Sequence, residues 1–591
     1  MKPHIVTEDM RLRARDGQEL EGKLYLPRDG VVSRLVVQVN GSGPQTCNTF
    51  RDRGDGTTYS FCGFFGEELA GRGLGFFCYS TRGCTDGDQG PLYCRVDRAV
   101  YRSYTPQTCV ADLEDWTALL QAHPRCAGAE LLLLGWSEGT MIAPAVAAGG
   151  AVPLAGLLLA GLGLFLFRFG FSGSRWASSP FNRHLYNSAG QLISGTLLDR
   201  DGEVLSAVDQ SGSRTYPDGE TRRKSILHVV GDPYGSIGTG ALTAFADRLT
   251  GFDLLNGAFG AQRGNQVYLT IDADLNETAY RALNGRKGTV AVYNYQTGEI
   301  LCLVSSPSFD PRNIPSGLET DPSYDGVYLN RFLSSTFPPG SIFKTVSTLA
   351  VLETGTYGPD DEIFCPSYIT ADGYTISDAH ARGDQTMTLR QILDQSSNVG
   401  ISLAVEEMGF QELYDHIVKY GLHKSTGVDY PGEGEAGTDA LGYLVPFDEW
   451  SRVTGYNVSF GQGISVTPLQ MTRFYGAIIN DGVACTPHFL ISKPQTGENP
   501  EYATEQIVEN TSVLPTMIDM LKTVVTDGTG AKAAIDGFNV AGKTSTAEIY
   551  DEENGGYRKG VYNICFTGFL ADSSSQLVCF VGANEVPGDR V

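Results

Sequence analysis

Nine residues of this chain decide the fold of its larger part: Phe337-Pro338-Pro339-Gly340-Ser341-Ile342-Phe343-Lys344-Thr345. The prolines and the glycine end a loop, and an apolar run with helical spacing begins at Ser341 and closes at Gly355. Residues three apart share one face of a helix, so Lys344 is expected within reach of the Ser341 hydroxyl. A desolvated lysine beside a second cation can be neutral and act as a base. The pattern therefore predicts Ser341 as a nucleophile.

Two later segments complete a pattern of three motifs. Ser396-Ser397-Asn398 lies between helices predicted over Thr388–Asp394 and Val399–Met408. Lys543-Thr544-Ser545-Thr546 lies inside an alternating strand predicted from Phe538 to Ile549. Serine and lysine at a helix start, S-x-N between helices and K-T-x-T on a strand, in this order, form a specific constellation. Lys424-Ser425-Thr426-Gly427 is a rival match for the third motif, but it lacks the strand context.

The segments around these motifs predict an α+β domain that opens near Val267. Strands over Thr289–Tyr295 and Glu299–Ser305 are joined by Gln296-Thr297-Gly298, which is a hairpin signal. Two more strands, Val561–Leu570 and Gln576–Asn584, follow the third motif and are expected to lie beside it.

The three motifs resemble those of the penicillin-binding proteins, over about residues 163–591. Lesser matches are Asn330-Arg331, Gly461-Gln462-Gly463 and Thr467-Pro468. The resemblance implies a transpeptidase domain over 266–591, with an antiparallel five-stranded sheet flanked by helices, after a β-rich pedestal or linker domain over 171–265. The short stretch before that domain leaves no room for a glycosyltransferase, which indicates class B of the family.

The resemblance also implies a role for each motif residue in peptidoglycan D,D-transpeptidation. Ser341 attacks the stem peptide, Lys344 takes its proton, Ser396 relays a proton to the leaving amine and Asn398 binds the peptide amide. The substrate carboxylate is held on the third motif, by Lys543 with the substrate-binding residues Thr544, Ser545 and Thr546. Backbone N–H groups of Ser341 and Thr546 form the oxyanion hole.

One residue departs from the family pattern. Ser545 stands where the third motif usually carries glycine, which normally allows close approach of substrate or backbone. Serine is the smallest replacement in this sense, so we expect function to survive.

Two other functions remain open for the same motifs. One is hydrolysis, as a D,D-carboxypeptidase or β-lactamase, and the other is a non-catalytic scaffold or sensor that β-lactams acylate. The family resemblance implies stem peptides and β-lactam antibiotics as ligands and other wall-synthesis proteins as partners, and we expect neither a metal nor a cofactor.

Residues 1–160 predict a different domain, with α/β organisation. Buried strands end at Val39, Tyr79 and Leu134, and the last runs into Gly135-Trp136-Ser137-Glu138-Gly139 before a helix. Strand, G-x-S-x-G and helix in this order resemble the nucleophile elbow of an α/β-hydrolase, and make Ser137 a candidate second nucleophile. The whole chain is thus expected to combine a partial α/β-hydrolase sheet with the pedestal and the transpeptidase fold.

The hydrolase pattern is incomplete because the chain lacks an acid and a base in the expected order. The acidic residue that next follows Glu138 is Asp199, and the only histidine partner in order nearby is His228, both of which we assign to the pedestal. An unactivated serine is a weak nucleophile. We expect no turnover from this part.

Composition excludes some classes of function. The net charge of −24 and the pI of about 4.7 argue against nucleic-acid binding, which needs a basic surface. The twelve cysteines include no C-x-x-C pair, which disfavours zinc. Seven lie before residue 127, as is typical of reduced thiols in a cytosolic domain.

An apolar stretch leaves two interpretations open. Residues 142–167 carry no charge, and they form either a helix and a buried strand of the first domain or, over 152–170, a membrane anchor. With an anchor, residues 1–160 would be cytosolic and the transpeptidase would lie outside the cell membrane.

Overall fold

The computed structural model describes residues 5–41, 43–52, 57–87, 93–135, 139–150, 154–158, 185–250, 265–431, 441–492, 501–550 and 557–588. The chain divides into two compact units, Met1–Gly173 and Ser174–Val591.

The first unit is built on a six-stranded mixed sheet. Its strands lie in the order Ile5–Arg13, Glu19–Pro27, Gly75–Tyr79, Arg34–Val39, Glu130–Gly135 and Leu154–Leu158. The first three pair antiparallel and the last four pair parallel. The two central strands are almost wholly buried, which explains their continuous apolar runs.

Helices and two small hairpins make up the rest of the described part of the first unit. The helices span Phe61–Gly71, Arg98–Tyr101, Pro106–Ala122 and Gly139–Gly149, and the hairpin strands Phe50–Asp52, Thr58–Ser60, Cys84–Asp86 and Cys94–Val96. Trp116 packs against Phe77 of the sheet with ring centroids 4.8 Å apart. The strand and the helix predicted on either side of the G-x-S-x-G motif are present, and Ser137 lies outside the described residues.

The described part of the apolar stretch favours the first of its two interpretations. A helix over Gly139–Gly149 is followed by the strand Leu154–Leu158, which pairs parallel with Glu130–Gly135. A membrane-spanning helix over 152–170 is therefore wrong for these five residues, and the rest of that segment lies outside the described residues. Among the residues described, no helix combines the length and apolarity needed to cross a membrane.

The second unit begins with a small five-stranded sheet. Its order is Arg214–Thr215, Val204–Val208, Thr196–Leu198, Gln266–Leu269 and Leu490–Ser492. Strands of the predicted pedestal thus pair with strands of the predicted transpeptidase domain, and the boundary between the two at 265/266 stays a prediction. Three helices accompany this sheet: Glu220–Val230, Ala241–Ala244 and Ala246–Leu249. Asp199 and His228 both lie here, as expected.

A larger five-stranded antiparallel sheet follows, as the family resemblance implied. Its order is Ile300–Ser306, Gly288–Asn294, Leu577–Pro587, Tyr557–Ala571 and Asn539–Tyr550. The last of these, here called the edge strand, carries the K-T-x-T motif. The predicted hairpin around Gln296-Thr297-Gly298 is confirmed by the pairing of the first two strands.

Helices pack around this sheet, together with short strands. The helices are Ala273–Leu283, Arg331–Ser334, Lys344–Thr354, Leu389–Asp394, Asn398–Met408, Phe410–Lys419, Arg452–Ser459, Pro468–Ile479 and Leu514–Thr526. The short strands are Glu362–Cys365, Tyr368–Ala371, Tyr374–Ser377, Gln385–Thr388, Val483–Cys485 and Thr504–Gln506.

The helix Lys344–Thr354, here called the central helix, is buried on all sides over its first nine residues. It starts later than predicted, because Gly340–Phe343 form a tighter 3₁₀ turn in front of it. In such a turn residues three apart are eclipsed, so Ser341 and Lys344 still share one face.

Candidate active site

The turn that carries Ser341 depends on two glycines. Gly340 takes a φ of 54°, in the left-handed region where glycine avoids the usual steric cost. Its backbone N–H donates to the carbonyl oxygen of Gly461 at 3.0 Å. A β-carbon on Gly461 would lie 2.3 Å from the Gly340 oxygen, which explains why the Gly461-Gln462-Gly463 loop must begin with glycine.

Lys344 lies at the centre of the site. Its Nζ atom is 3.0 Å from Ser341 Oγ, 3.1 Å from Ser396 Oγ, 2.7 Å from the Ser396 carbonyl oxygen and 2.7 Å from Asn398 Oδ1. The two shortest contacts are to oxygens that only accept. They satisfy both N–H groups of a neutral amine and leave its lone pair for the hydroxyl of Ser341. The geometry thus suits a base.

Burial and charge favour the neutral form of this lysine. Lys344 is 1% exposed, and the loss of hydration, with the nearby positive charge of Lys543 second, lowers its pKa well below the usual value of 10.5. Burial likewise lowers the pKa of Lys543 to about 7. One lysine is thereby prepared to take a proton, and the other titrates near neutrality.

The loop before the helix Asn398–Met408 carries the second motif. Ser396 takes a φ of 57°, a left-handed conformation that is uncommon for serine and often found at functional sites. Ser397 caps the helix, because its hydroxyl accepts from the N–H of Gly400 at 3.0 Å. The predicted loop between two helices is confirmed, and it brings Ser396 and Asn398 to Lys344.

Asp378 holds this loop and was missed by the sequence analysis. Its carboxylate accepts hydrogen bonds from the hydroxyl of Ser397 and from the backbone N–H groups of Asn398 and Val399, at 2.6 to 3.1 Å. Arg382 forms an ion pair with it at 3.2 Å and donates to the carbonyl oxygen of Gln395. The only signal in the sequence is an Asp and an Arg four residues apart, which is too common to single out.

The edge strand presents its motif on two faces. The side chains of Lys543 and Ser545 point inward and are 0% and 4% exposed, whereas Thr544 is partly exposed and Thr546 is exposed. This is the alternation expected of a strand. The hydroxyl oxygen of Thr529 lies 3.2 Å from both Lys543 Nζ and Thr544 Oγ1. The sequence patterns did not predict this residue as part of the site.

Ser545 contacts the turn that carries Ser341. Its hydroxyl donates to the carbonyl oxygen of Pro339 at 2.8 Å and accepts from the backbone N–H of Ser341 at 3.0 Å. The side chain lies on the buried face of the strand, with Lys543 and opposite to Thr544 and Thr546, and its part in substrate binding stays a prediction. The Ser341 N–H predicted for the oxyanion hole is bonded to this hydroxyl.

The motif residue Thr467 also supports the site. With Gln470 it forms a capping box at the start of the helix Pro468–Ile479. That helix places Tyr475 so that its hydroxyl donates to the carbonyl oxygen of Ile342, the residue after Ser341, at 3.1 Å. The contact links a lesser motif to the Ser341 turn.

The other candidates stand apart. Lys424 of the rival motif lies off any strand and pairs with Glu505 at 2.6 Å. Within the described ranges no three His, Cys, Asp or Glu side chains are grouped as metal ligands would be. Ser341, Lys344, Ser396 and Asn398 therefore form the site, with Lys543 close enough to perturb the pKa of Lys344.

A family model agrees with this geometry. The model described as "Penicillin binding protein transpeptidase domain" matches residues 288–589. The chain is 31% identical over 402 residues to penicillin-binding protein PbpB of Mycobacterium tuberculosis, which covers 63% of this chain and 58% of that protein. It is 30% identical over 297 residues to peptidoglycan D,D-transpeptidase FtsI of Escherichia coli, covering 49% of this chain and 47% of that protein.

A solved structure shares the fold. The crystal structure of penicillin-binding protein 3 from Mycobacterium tuberculosis complexed with aztreonam is 29% identical, with a TM-score of 0.58. The alignment covers 68% of this chain and 93% of that one. The chain spans less than two thirds of the length of either relative named above.

Proposed function

This chain belongs to the penicillin-binding protein transpeptidase family, and from that premise we propose that it is a class B peptidoglycan D,D-transpeptidase. The observation that carries the proposal is the position of Lys344, whose Nζ atom contacts Ser341, Ser396 and Asn398 at once. The relative FtsI, which bears that activity in its name, supports the reaction type.

Acylation uses the first two motifs. Ser341 Oγ attacks the carbonyl carbon of the penultimate D-alanine, and its proton passes to neutral Lys344. The negative charge moves to the carbonyl oxygen, where the N–H groups of Ser341 and Thr546 stabilise it. The C–N bond then breaks, and the proton returns from Lys344 through the Ser396 hydroxyl to the leaving amine.

Substrate binding uses the third motif. Lys543, Thr544 and Thr546 hold the terminal carboxylate, and Asn398 binds the peptide amide. An acceptor amine from another stem peptide then attacks the ester of Ser341, which releases the serine and forms the cross-link. β-Lactams acylate the same serine, because their strained amide takes the place of the scissile bond.

A partition experiment tests transpeptidation against the alternatives. The full-length protein is incubated with a stem-peptide thioester and a D-amino acid acceptor, and the aminolysis and hydrolysis products are separated by chromatography. The proposal expects aminolysis to rise with acceptor and to exceed hydrolysis. Hydrolysis alone would favour a carboxypeptidase or β-lactamase, and an acyl-enzyme that never turns over would favour a sensor or scaffold.

The proposal for residues 1–160 is a partial α/β-hydrolase domain without turnover. It is supported by the described strand order, two antiparallel strands followed by parallel ones, and by the strand and helix on either side of the elbow. Hydrolysis of p-nitrophenyl acetate by Ser341→Ala and by Ser341→Ala/Ser137→Ala tests it. Equal rates are expected, and a slower double variant would contradict it.

The proposal places the transpeptidase domain, 266–591, and the pedestal, 171–265, on the outer side of the cell membrane. The family supports this location, since the peptidoglycan substrate lies there. Other wall-synthesis proteins are proposed partners. A membrane-impermeant fluorescent penicillin applied to intact cells should label the chain, and label appearing only after lysis would contradict the location.

A further inference from the structure

The hydroxyl of Ser545 bridges two backbone groups of the turn that carries the nucleophile. It gives its proton to the Pro339 carbonyl oxygen and receives the N–H of Ser341, at 2.8 and 3.0 Å. The side chain is 4% exposed, and a β-carbon on Gly340 would lie 2.6 Å from this hydroxyl oxygen. The bridge therefore fills the space behind the turn, and glycine at position 545 would supply neither of its hydrogen bonds.

The Ser341 N–H has a second use in the proposed reaction. During acylation it must donate to the oxygen on which negative charge develops. A hydrogen bond weakens steeply as its angle falls below about 120°, so one N–H cannot serve two separate acceptors at full strength. The bond to Ser545 has to weaken as the bond to the oxyanion forms.

We propose that Ser545 is a positioning residue that restrains the oxyanion hole: its hydroxyl fixes the Ser341 turn but holds the Ser341 N–H and so slows acylation. The inference rests on the proposed function, because it concerns the rate at which Ser341 is acylated. It also predicts opposite effects of one side chain on stability and on rate, which a purely structural serine would not produce.

The test compares full-length parent, Ser545→Ala and Ser545→Gly. Second-order rate constants for acylation by a fluorescent penicillin are measured under rapid mixing, and melting temperatures by calorimetry. Both variants should be acylated about 3 to 10 times faster than the parent. This is the change in rate constant that corresponds to the net free energy of one hydrogen bond. Both should melt at a lower temperature, because the Pro339 carbonyl oxygen loses its donor.

Ser206→Ala is the matched control. Ser206 is also fully buried, donates to the carbonyl oxygen of Thr215 at 2.9 Å and accepts from Arg214 Nη1 at 3.5 Å. It lies in the small sheet, outside the site. This variant should melt at a lower temperature, like Ser545→Ala, and keep the acylation rate of the parent.

Infrared spectra supply a second readout. In the acyl-enzyme made with a ¹³C-labelled penicillin, the acyl carbonyl of Ser545→Ala should absorb at lower wavenumber than that of the parent, since the Ser341 N–H then donates to it alone. The inference holds if every variant that folds is acylated at least threefold faster and the band shifts down. A smaller acceleration or an unshifted band overturns it. If the parent itself takes no label, the proposed function fails together with this inference. If the parent is labelled but the variants are not faster, only this inference fails.

Discussion

The Nζ atom of Lys344 lies 2.7 Å from the carbonyl oxygen of Ser396, a residue whose backbone takes a left-handed φ of 57°. Such a conformation costs a serine about 1 to 3 kcal/mol, which the surrounding contacts must offset. Asp378 and the cap of the helix Asn398–Met408 supply those contacts. In return, the carbonyl and the hydroxyl of Ser396 both reach Lys344, the base of the proposed reaction.

Replacing this lysine should abolish most acylation. Lys344→Met keeps the aliphatic length but removes the base, and general bases contribute about 10²- to 10⁴-fold. The rate constant for labelling by fluorescent penicillin should fall by that factor. Lys424→Met, the lysine of the rival motif, is the matched control and should keep the parental rate. An equal fall of the labelling rate constant in Lys344→Met and Lys424→Met would contradict the assignment of Lys344 as the base.

The pH dependence of acylation should separate the two lysines. Lys344 must be neutral, so its lowered pKa sets an acid limb on which the rate rises with pH. Lys543 must be charged to hold a carboxylate, and its pKa of about 7 sets an alkaline limb on which the rate falls. A penicillin methyl ester lacks that carboxylate.

The ester is the control for this assignment. Stopped-flow profiles should show the alkaline limb near pH 7 for the acid and none for the ester, with the acid limb common to both. The same alkaline limb with both compounds would assign it to a group other than Lys543.

Asp378→Asn tests the residue that holds the second motif. Loss of the charged acceptor should slow acylation about 10-fold, as expected for one charge-assisted hydrogen bond. The negative charge of Asp378 raises the pKa of Lys344, so its removal should also move the acid limb to lower pH. If Asp378 only stabilised the fold, the acid limb of the pH profile would stay at the pH of the parent.

Asp384→Asn is the control for this position. Asp384 also accepts a backbone N–H, from Ser367 at 2.8 Å, but on an exposed loop. The Asp384→Asn variant should keep the acylation rate of the parent, and the acid limb of its pH profile should stay at the same pH. A slower rate with an unmoved limb in Asp378→Asn would show that the carboxylate acts only on folding.

Local sequence signals were enough to predict most of the second unit. Hairpin residues, helix caps and strand alternation are encoded within a few positions, and they predicted individual strands and helices. The five-stranded antiparallel sheet was implied only by the resemblance to the penicillin-binding proteins. The central helix was placed one turn early, because the 3₁₀ turn depends on Gly340, which packs against the distant loop at Gly461.

The remaining parts of the site depend on contacts that are distant in sequence. Asp378 and Thr529 join the site through folding alone, and neither lies in a recognisable motif. The contact of the Ser545 hydroxyl with Pro339 was not predicted, because strand alternation tells which residues share a face but not which distant element that face meets. That contact spans 206 positions of sequence.

The acylation of Ser341 is the central claim, and intact mass spectrometry after incubation with penicillin tests it most directly. The full-length protein should gain the mass of one penicillin, and peptide mapping should place it on Ser341. Ser341→Ala, folded and otherwise identical, should gain none. Equal adducts on parent and variant, or no adduct on folded parent, would contradict the account.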